Sequence, residues 1–175
     1  DNYLKKVLNR SVHASVGCLL SHISVLQNAL ERGFQVIWVL EDDIKVVGDT
    51  GKIPELLSKL SFIDPDWDIL YTDVPVTAQC VFPPHIRLLF SGRNRLQVEE
   101  HSDDFKVIHW RNGTYSMLIS IKGIKKILDY FRSSDVYGPI DNDIHCIPGI
   151  KQYSVRKDIV THANQFTSDI EYSHQ

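Results

Sequence analysis

The chain has 175 residues, and its 19 Lys+Arg against 22 Asp+Glu leave a net charge of −3. That length fits a single domain spanning residues 1–175, and the slight negative balance excludes nucleic acid as the main partner, which would require a basic face. Hydrophobic residues at 43% and charged residues at 23% exclude disorder, collagen and a coiled coil.

Val16, Leu19, Leu20, Ile23, Leu26 and Leu30 recur at three- and four-residue spacing, which predicts a helix from about Ser11 to Arg32, stopped by Gly33. Within it, Gly17-Cys18-Leu19-Leu20-Ser21-His22 carries a glycine that costs about 1 kcal/mol against alanine, which suggests close approach of a neighbouring element or a ligand. His22 reads either as a site residue or as a hydrogen-bonded helix histidine. Val36-Ile37-Trp38-Val39-Leu40 is apolar throughout and too short for a helix. It predicts a central strand buried on both faces, as in a parallel sheet. A second helix is expected from Ile53 to Leu60, with Pro54 in its first turn. Trp67 to Thr72 reads as a strand. From Val74 to Ser102 the pattern weakens, with Pro83-Pro84 as a breaker and room for one hairpin. Val107 to Trp110 and Tyr115 to Ser120 read as strands around a turn at Asn112-Gly113. Ser120 is placed to cap a helix over Ile121 to Phe131. Gln152 to Val155 and Ile159 to Thr161 complete the strands, before a polar tail from Ala163. Alternating strands and helices predict an α/β fold with a mixed, mostly parallel sheet flanked by helices.

Cys18, Cys80 and Cys146 lie 62 and 66 residues apart, which matches neither a zinc motif nor a disulfide framework. The sequons Asn9-Arg10-Ser11 and Asn112-Gly113-Thr114 matter only in a secretory lumen. No apolar run approaches the ~20 residues of a membrane span. No leader is visible, and with the free cysteines this favours a cytoplasmic protein.

Glu41-Asp42-Asp43, at the end of the apolar strand, is the most informative feature. Ligands of open α/β sheets sit beyond the carboxyl ends of strands. Three crowded carboxylates call for a positive partner, and Mn²⁺ or Mg²⁺ accepts one or two of them and completes its shell with phosphate and water. A solvated acidic loop is the bland alternative. His162 has a nitrogen that could complete a metal shell, although a structural role is as ready an explanation. Asp141 and Asp143 follow a Gly-Pro turn and read either as general bases or as turn residues. Thr167-Ser168-Asp169 could cap a short helix. Trp67, Trp110 and Tyr115 read as core aromatics before they read as sugar platforms.

Taken in order, five segments resemble glycosyltransferase family 25, the lipooligosaccharide and procollagen galactosyltransferase family. They are Gly17-Cys18-Leu19-Leu20-Ser21-His22, Val39-Leu40-Glu41-Asp42-Asp43, Gly113-Thr114-Tyr115-Ser116-Met117-Leu118-Ile119-Ser120, Pro139-Ile140-Asp141-Asn142-Asp143 and Phe166-Thr167-Ser168-Asp169-Ile170. The resemblance implies a GT-A-like fold and inverting transfer of a sugar, often galactose, from a nucleotide diphosphate donor such as UDP-galactose. The acceptor would be a glycan or lipooligosaccharide hydroxyl, met at the inner membrane face. The family's opening strand, with Asn-Leu and arginines, has no counterpart ahead of Asp1-Asn2-Tyr3-Leu4, so a sheet lacking the first nucleotide-binding strand is expected. On this reading Asp43 and His162 hold the metal, while Glu41, Asp42, Ser21 and His22 bind the donor. Asp141 is the first choice of base and Asp143 the second. A transferase-like binding module without catalysis and a metal-dependent phosphohydrolase are the alternatives.

Overall fold

The computed structural model describes residues 2–75, 98–133 and 139–163, with side chains from residue 13 onward. Helix α1 spans Asn2–Glu31 and starts earlier than its apolar periodicity indicates. Its buried stripe is Leu19, His22, Leu26 and Ala29, whereas Val16 and Leu20 face outward. The stripe is rotated from the expected one because His22 occupies a core-facing position. Gly33 ends the helix at φ +72°. Phe34 N–H donates to Ala29 O and Gly33 N–H to Leu30 O, the paired bonds that close a helix through a left-handed residue. An alanine Cβ at Gly17 would touch no described atom, so the close approach expected there is not observed.

Strands β1 (Val36–Leu40), β2 (Ile44–Val46), β3 (Ile69–Tyr71), β4 (Val98–Glu100), β5 (Phe105–Ile108), β6 (Ser116–Ser120), β7 (Gln152–Val155) and β8 (Val160–His162) form two sheets. The larger has the order β1-β6-β3-β7-β5-β4, and β2 pairs with β8 separately. Helices α2 (Ile53–Ile63) and α3 (Ile121–Ser133) flank the larger sheet, and α4 (Ile140–Asp143) is a single turn.

The α/β class and the mixed, helix-flanked sheet hold, but the expected predominance of parallel pairing does not. Among the described residues only β3 and β7 run parallel, and the other pairings in this sheet are antiparallel. A continuous apolar run reports burial on both faces and says nothing of strand direction. Here both faces are covered although most neighbours are antiparallel. Met117, Ile119, Ile69 and Tyr71 pack towards Leu26 of α1 and Ile124, Ile127 and Leu128 of α3. The alternate residues Leu118 and Leu70 pack towards Ile53 and Leu60 of α2, with Trp67, Phe105 and Tyr153. This is the two-residue alternation of a pleated strand with a core on each side.

β1 is also not the central strand its composition predicts. Among the described residues it is an edge, with Val39 buried and Val36 and Leu40 exposed. The strand next to it, β6, is interior, and its five residues are all buried, Ser116 and Ser120 included. Those serines tolerate burial because their hydroxyls are bonded. Trp38 Nε1 donates to Ser116 Oγ, which also pairs with Thr72 Oγ1. Ser120 Oγ donates to Trp67 O and accepts from Gly123 N–H, capping α3 as expected.

The turn at Asn112-Gly113 exists, with Gly113 at φ +80°. Its flanking strands are nevertheless not partners: β6 joins β1 and β3, while β5 joins β7 and forms a hairpin with β4. Most of the predicted excursion from Val74 to Ser102, including Pro83-Pro84 and Cys80, and the Phe166–Ile170 segment with Thr167-Ser168-Asp169 lie outside the described residues. Trp67 and Trp110 are core aromatics, at 4% and 2% exposure.

Candidate active site

β1 and β3 both run antiparallel to β6, and β7 runs parallel to β3. The carboxyl ends of β1, β3 and β7 therefore emerge at the same sheet edge as the amino end of β6. That edge gathers Glu41 and Asp43 after β1, Asp73 after β3, and Thr114 and Tyr115 before β6.

Glu41 is fixed at its backbone, where its N–H donates to Tyr115 O at 3.0 Å. Its Oε1 accepts the Thr114 hydroxyl at 2.8 Å and lies 3.9 Å from His22 Nε2. His22 Nδ1 lies 3.0 Å from Cys18 O, and a carbonyl can only accept, so Nδ1 carries the proton. Nε2 faces Glu41, buried and with no hydrogen-bond partner. Burial raises the Glu41 carboxyl above its ordinary value, Thr114 and His22 oppose the rise, and the charges of Asp43 and Asp141 add to it. Two carboxylates of one acidic triplet and a third from far along the chain thus feel one another. The neighbouring Cys18 thiol is pushed up to about 11 by burial, with Glu41 and Asp141 adding, which leaves it unreactive.

Asp43 is placed by the small sheet that sequence patterning missed. Ile44 of β2 pairs with His162 of β8, and Ala163 N–H donates to Asp43 O at 2.8 Å. This pairing sets Asp43 Oδ2 at 2.8 Å from His162 Nε2. Asp43 Oδ1 is buried without a partner. Asp141, in α4, accepts the Gly113 N–H at Oδ2, 3.3 Å away.

The structure therefore brings together Glu41, Asp43, Asp141, His22 and His162. Asp42 is exposed and makes no hydrogen bond or ion pair with another described side chain. Ser21 also faces outward, and its hydroxyl is bonded to Gly17 O of its own helix. Asp143 shares α4 with Asp141 and acts electrostatically on Cys146.

Thr114, Asp73 and Arg111 went unrecognised as site residues in the sequence. Asp73 follows an apolar strand as Glu41 does, so the strand-end rule that singled out Glu41 also applies to it. Arg111 bonds Asp73 through both terminal guanidinium nitrogens, and each side chain is 2% exposed. Tyr115 adds its hydroxyl to Asp73 Oδ2 at 2.9 Å.

Among the described residues no three His, Cys, Asp or Glu side chains form a group that could hold a metal ion by themselves. Asp43 with His162 is a smaller donor set, one oxygen and one nitrogen, with a second carboxylate oxygen free. Such a pair fits Mn²⁺ or Mg²⁺ only where a diphosphate and water supply the other ligands. Among the described residues no helix is long and apolar enough to cross a membrane.

The profile of glycosyltransferase family 25 (LPS biosynthesis protein) matches residues 3–144. The chain belongs to this family. It is 26% identical over 171 residues to procollagen galactosyltransferase 1-B of Xenopus laevis, covering 91% of the chain and 24% of that protein. It is 25% identical over 171 residues to procollagen galactosyltransferase 2 of Mus musculus, with the same 91% and 24% coverage. It is 29% identical over 72 residues, or 41% of the chain, to 12% of a protein of Bos taurus named as probable inactive glycosyltransferase 25 family member 3. The chain spans about a quarter of the length of the procollagen galactosyltransferases it matches.

Proposed function

We propose that this chain catalyses transfer of galactose from UDP-galactose to a hydroxyl of a glycan or lipooligosaccharide acceptor, with inversion, on a GT-A-like scaffold. The observation that carries the reading is the convergence of Glu41, Asp43 and Asp141 at the strand ends, with Asp43 Oδ1 buried and partnerless. Family membership and the names of the galactosyltransferases it resembles support the sugar and the reaction class.

Asp43 and His162 would hold Mn²⁺ or Mg²⁺, which supplies positive charge against a diphosphate leaving group. Glu41 and His22 bound the donor site, with Asp42 and Ser21 at its exposed margin. Asp141, steadied by the Gly113 N–H, takes the proton of the attacking acceptor hydroxyl as general base. Asp143, two residues further along α4, is the second choice for that role.

Calorimetric titration of UDP with and without Mn²⁺ tests the donor site. The expected result is binding that requires Mn²⁺ and disappears in Asp43→Ala. Equal binding without metal, or none in either condition, would overturn the reading. Asp141→Asn is expected to lower kcat with donor affinity kept, and loss of UDP binding instead would reassign Asp141 to the donor. The relative named as probable inactive favours one second reading, a binding module. UDP binding without turnover on any acceptor would support it.

A further inference from the structure

Tyr115 touches both halves of the acidic site. Its carbonyl accepts the Glu41 N–H. Its ring meets the His162 ring edge-on, with centroids 5.9 Å apart. The same residue is tied down from behind. Its hydroxyl donates to Asp73, whose two oxygens are gripped by Arg111. The Arg111 guanidinium lies 4.1 Å from the centre of the Tyr71 ring and 5.5 Å from that of Tyr115. His145 Nε2 donates to Arg111 O at 2.9 Å and fixes the backbone there. Asp73 thus receives the guanidinium fork and a phenol, and neither charged partner reaches solvent.

This pair is too buried and too completely engaged to meet a substrate. Its geometry explains something else. His162 projects from a strand of three residues, and its imidazole could turn about its side-chain bonds without a wall beside it. The Tyr115 ring is that wall. We infer that the buried Asp73–Arg111 pair, acting through Tyr115, orients the His162 imidazole on Asp43, which makes Asp73, Arg111 and Tyr115 positioning residues. The role in donor binding rests on the proposed function, whereas the orientation of His162 does not.

Histidine ¹⁵N resonances of the whole chain, recorded at fixed pH and assigned to His162 by its loss in His162→Gln, report the bond to Asp43 directly. Electron paramagnetic resonance of Mn²⁺ titrated in the presence of UDP reports the metal site. Tyr115→Leu removes the ring. It is expected to move the His162 Nε2 resonance towards that of an unbonded imidazole and to weaken Mn²⁺ uptake by about tenfold, as loss of outer support does at metal sites. Tyr115→Phe keeps the ring but loses the hydroxyl bond to Asp73, and is expected to shift the resonance in the same direction by less. Should Tyr115→Leu fail to fold, Arg111→Lys, which keeps the charge but loses the fork, is expected to shift the resonance in the same direction by less. An unmoved His162 resonance in a folded Tyr115→Leu, or in Arg111→Lys where that variant stands in, overturns the inference. If the wild-type chain takes up no Mn²⁺ with UDP while the resonance still moves, the proposed function falls and the positioning role stands.

Discussion

Asp43 and His162 are 119 positions apart, and their side chains meet at 2.8 Å. The contact exists because β2 and β8 pair, with Ile44 opposite His162. His162→Ala removes the nitrogen and leaves Asp43 in place. The expected outcome is a loss of at least about tenfold in Mn²⁺-dependent UDP affinity, with thermal stability close to wild type because His162 is part-exposed. Unchanged affinity in a calorimetric titration would remove His162 from the site and leave Asp43 as the sole candidate ligand of the pair.

His145 gives the fold a defined sensitivity to acid. Burial lowers its pKa from 6.5 to about 4. The folded state therefore keeps the ring neutral where the unfolded chain has begun to bind a proton. In that window the unfolded state holds more protons, so stability rises with pH and falls as pH drops. Its contribution is complete above 6.5 and is lost progressively down to about 4. Denaturant melts across this range are expected to show a steeper loss for wild type than for His145→Gln, which cannot titrate. Parallel curves would mean that the acid sensitivity comes from other groups.

Several of these features were legible in the sequence because their signals are local. The apolar run Val36–Leu40 and the acids that follow it locate a strand and its functional end. The helices at residues 53–63 and 121–133 were recognisable from periodicity, Pro54 and the Ser120 cap. The rest depends on pairing across the chain. Ile44-Lys45-Val46 is too short to show alternation, and becomes a strand only because residues 160–162 lie beside it. Composition alone would make β1 central and β6 its inferior, since serine favours neither burial nor strands. In the sheet β1 is the edge and β6 is interior, and β6 tolerates full burial because Trp38, Thr72, Trp67 and Gly123 satisfy the two serine hydroxyls. Asp73 and Arg111 stand 38 positions apart, one after a strand and one in a turn, and nothing near either names the other.

That ion pair makes a strong stability prediction. Arg111→Met leaves the Asp73 carboxylate buried with the Tyr115 hydroxyl but no cation. The expected cost is about 3–5 kcal/mol, the range for breaking a buried pair on one side. Asp73→Leu combined with Arg111→Met removes both charges and is expected to cost less than Arg111→Met alone. Urea unfolding of the two variants checks this. A double variant less stable than the single would show that the polar contacts of Asp73, including the one to Tyr115, outweigh the burden of a buried charge.

Two glycines in helices should respond to alanine in opposite directions. Gly17 lies on the exposed side of α1, and an added Cβ there meets no described atom within 4 Å. The helix then gains propensity without a clash, and Gly17→Ala is expected to stabilise by about 1 kcal/mol. Gly123 is buried in the first turn of α3, where that helix crosses the start of β3. A Cβ there would stand 2.5 Å from Asp68 O and 3.0 Å from Asp68 C. Both are backbone atoms of a fully buried residue, so relief requires α3 to move off the sheet. Gly123→Ala is therefore expected to destabilise by about 1–3 kcal/mol, the usual cost of overpacking. Thermal melts of the two variants beside wild type decide the matter. Equal and favourable shifts would mean that α3 can lift from β3 at little cost, and that the close packing at Gly123 does not hold the helix in place.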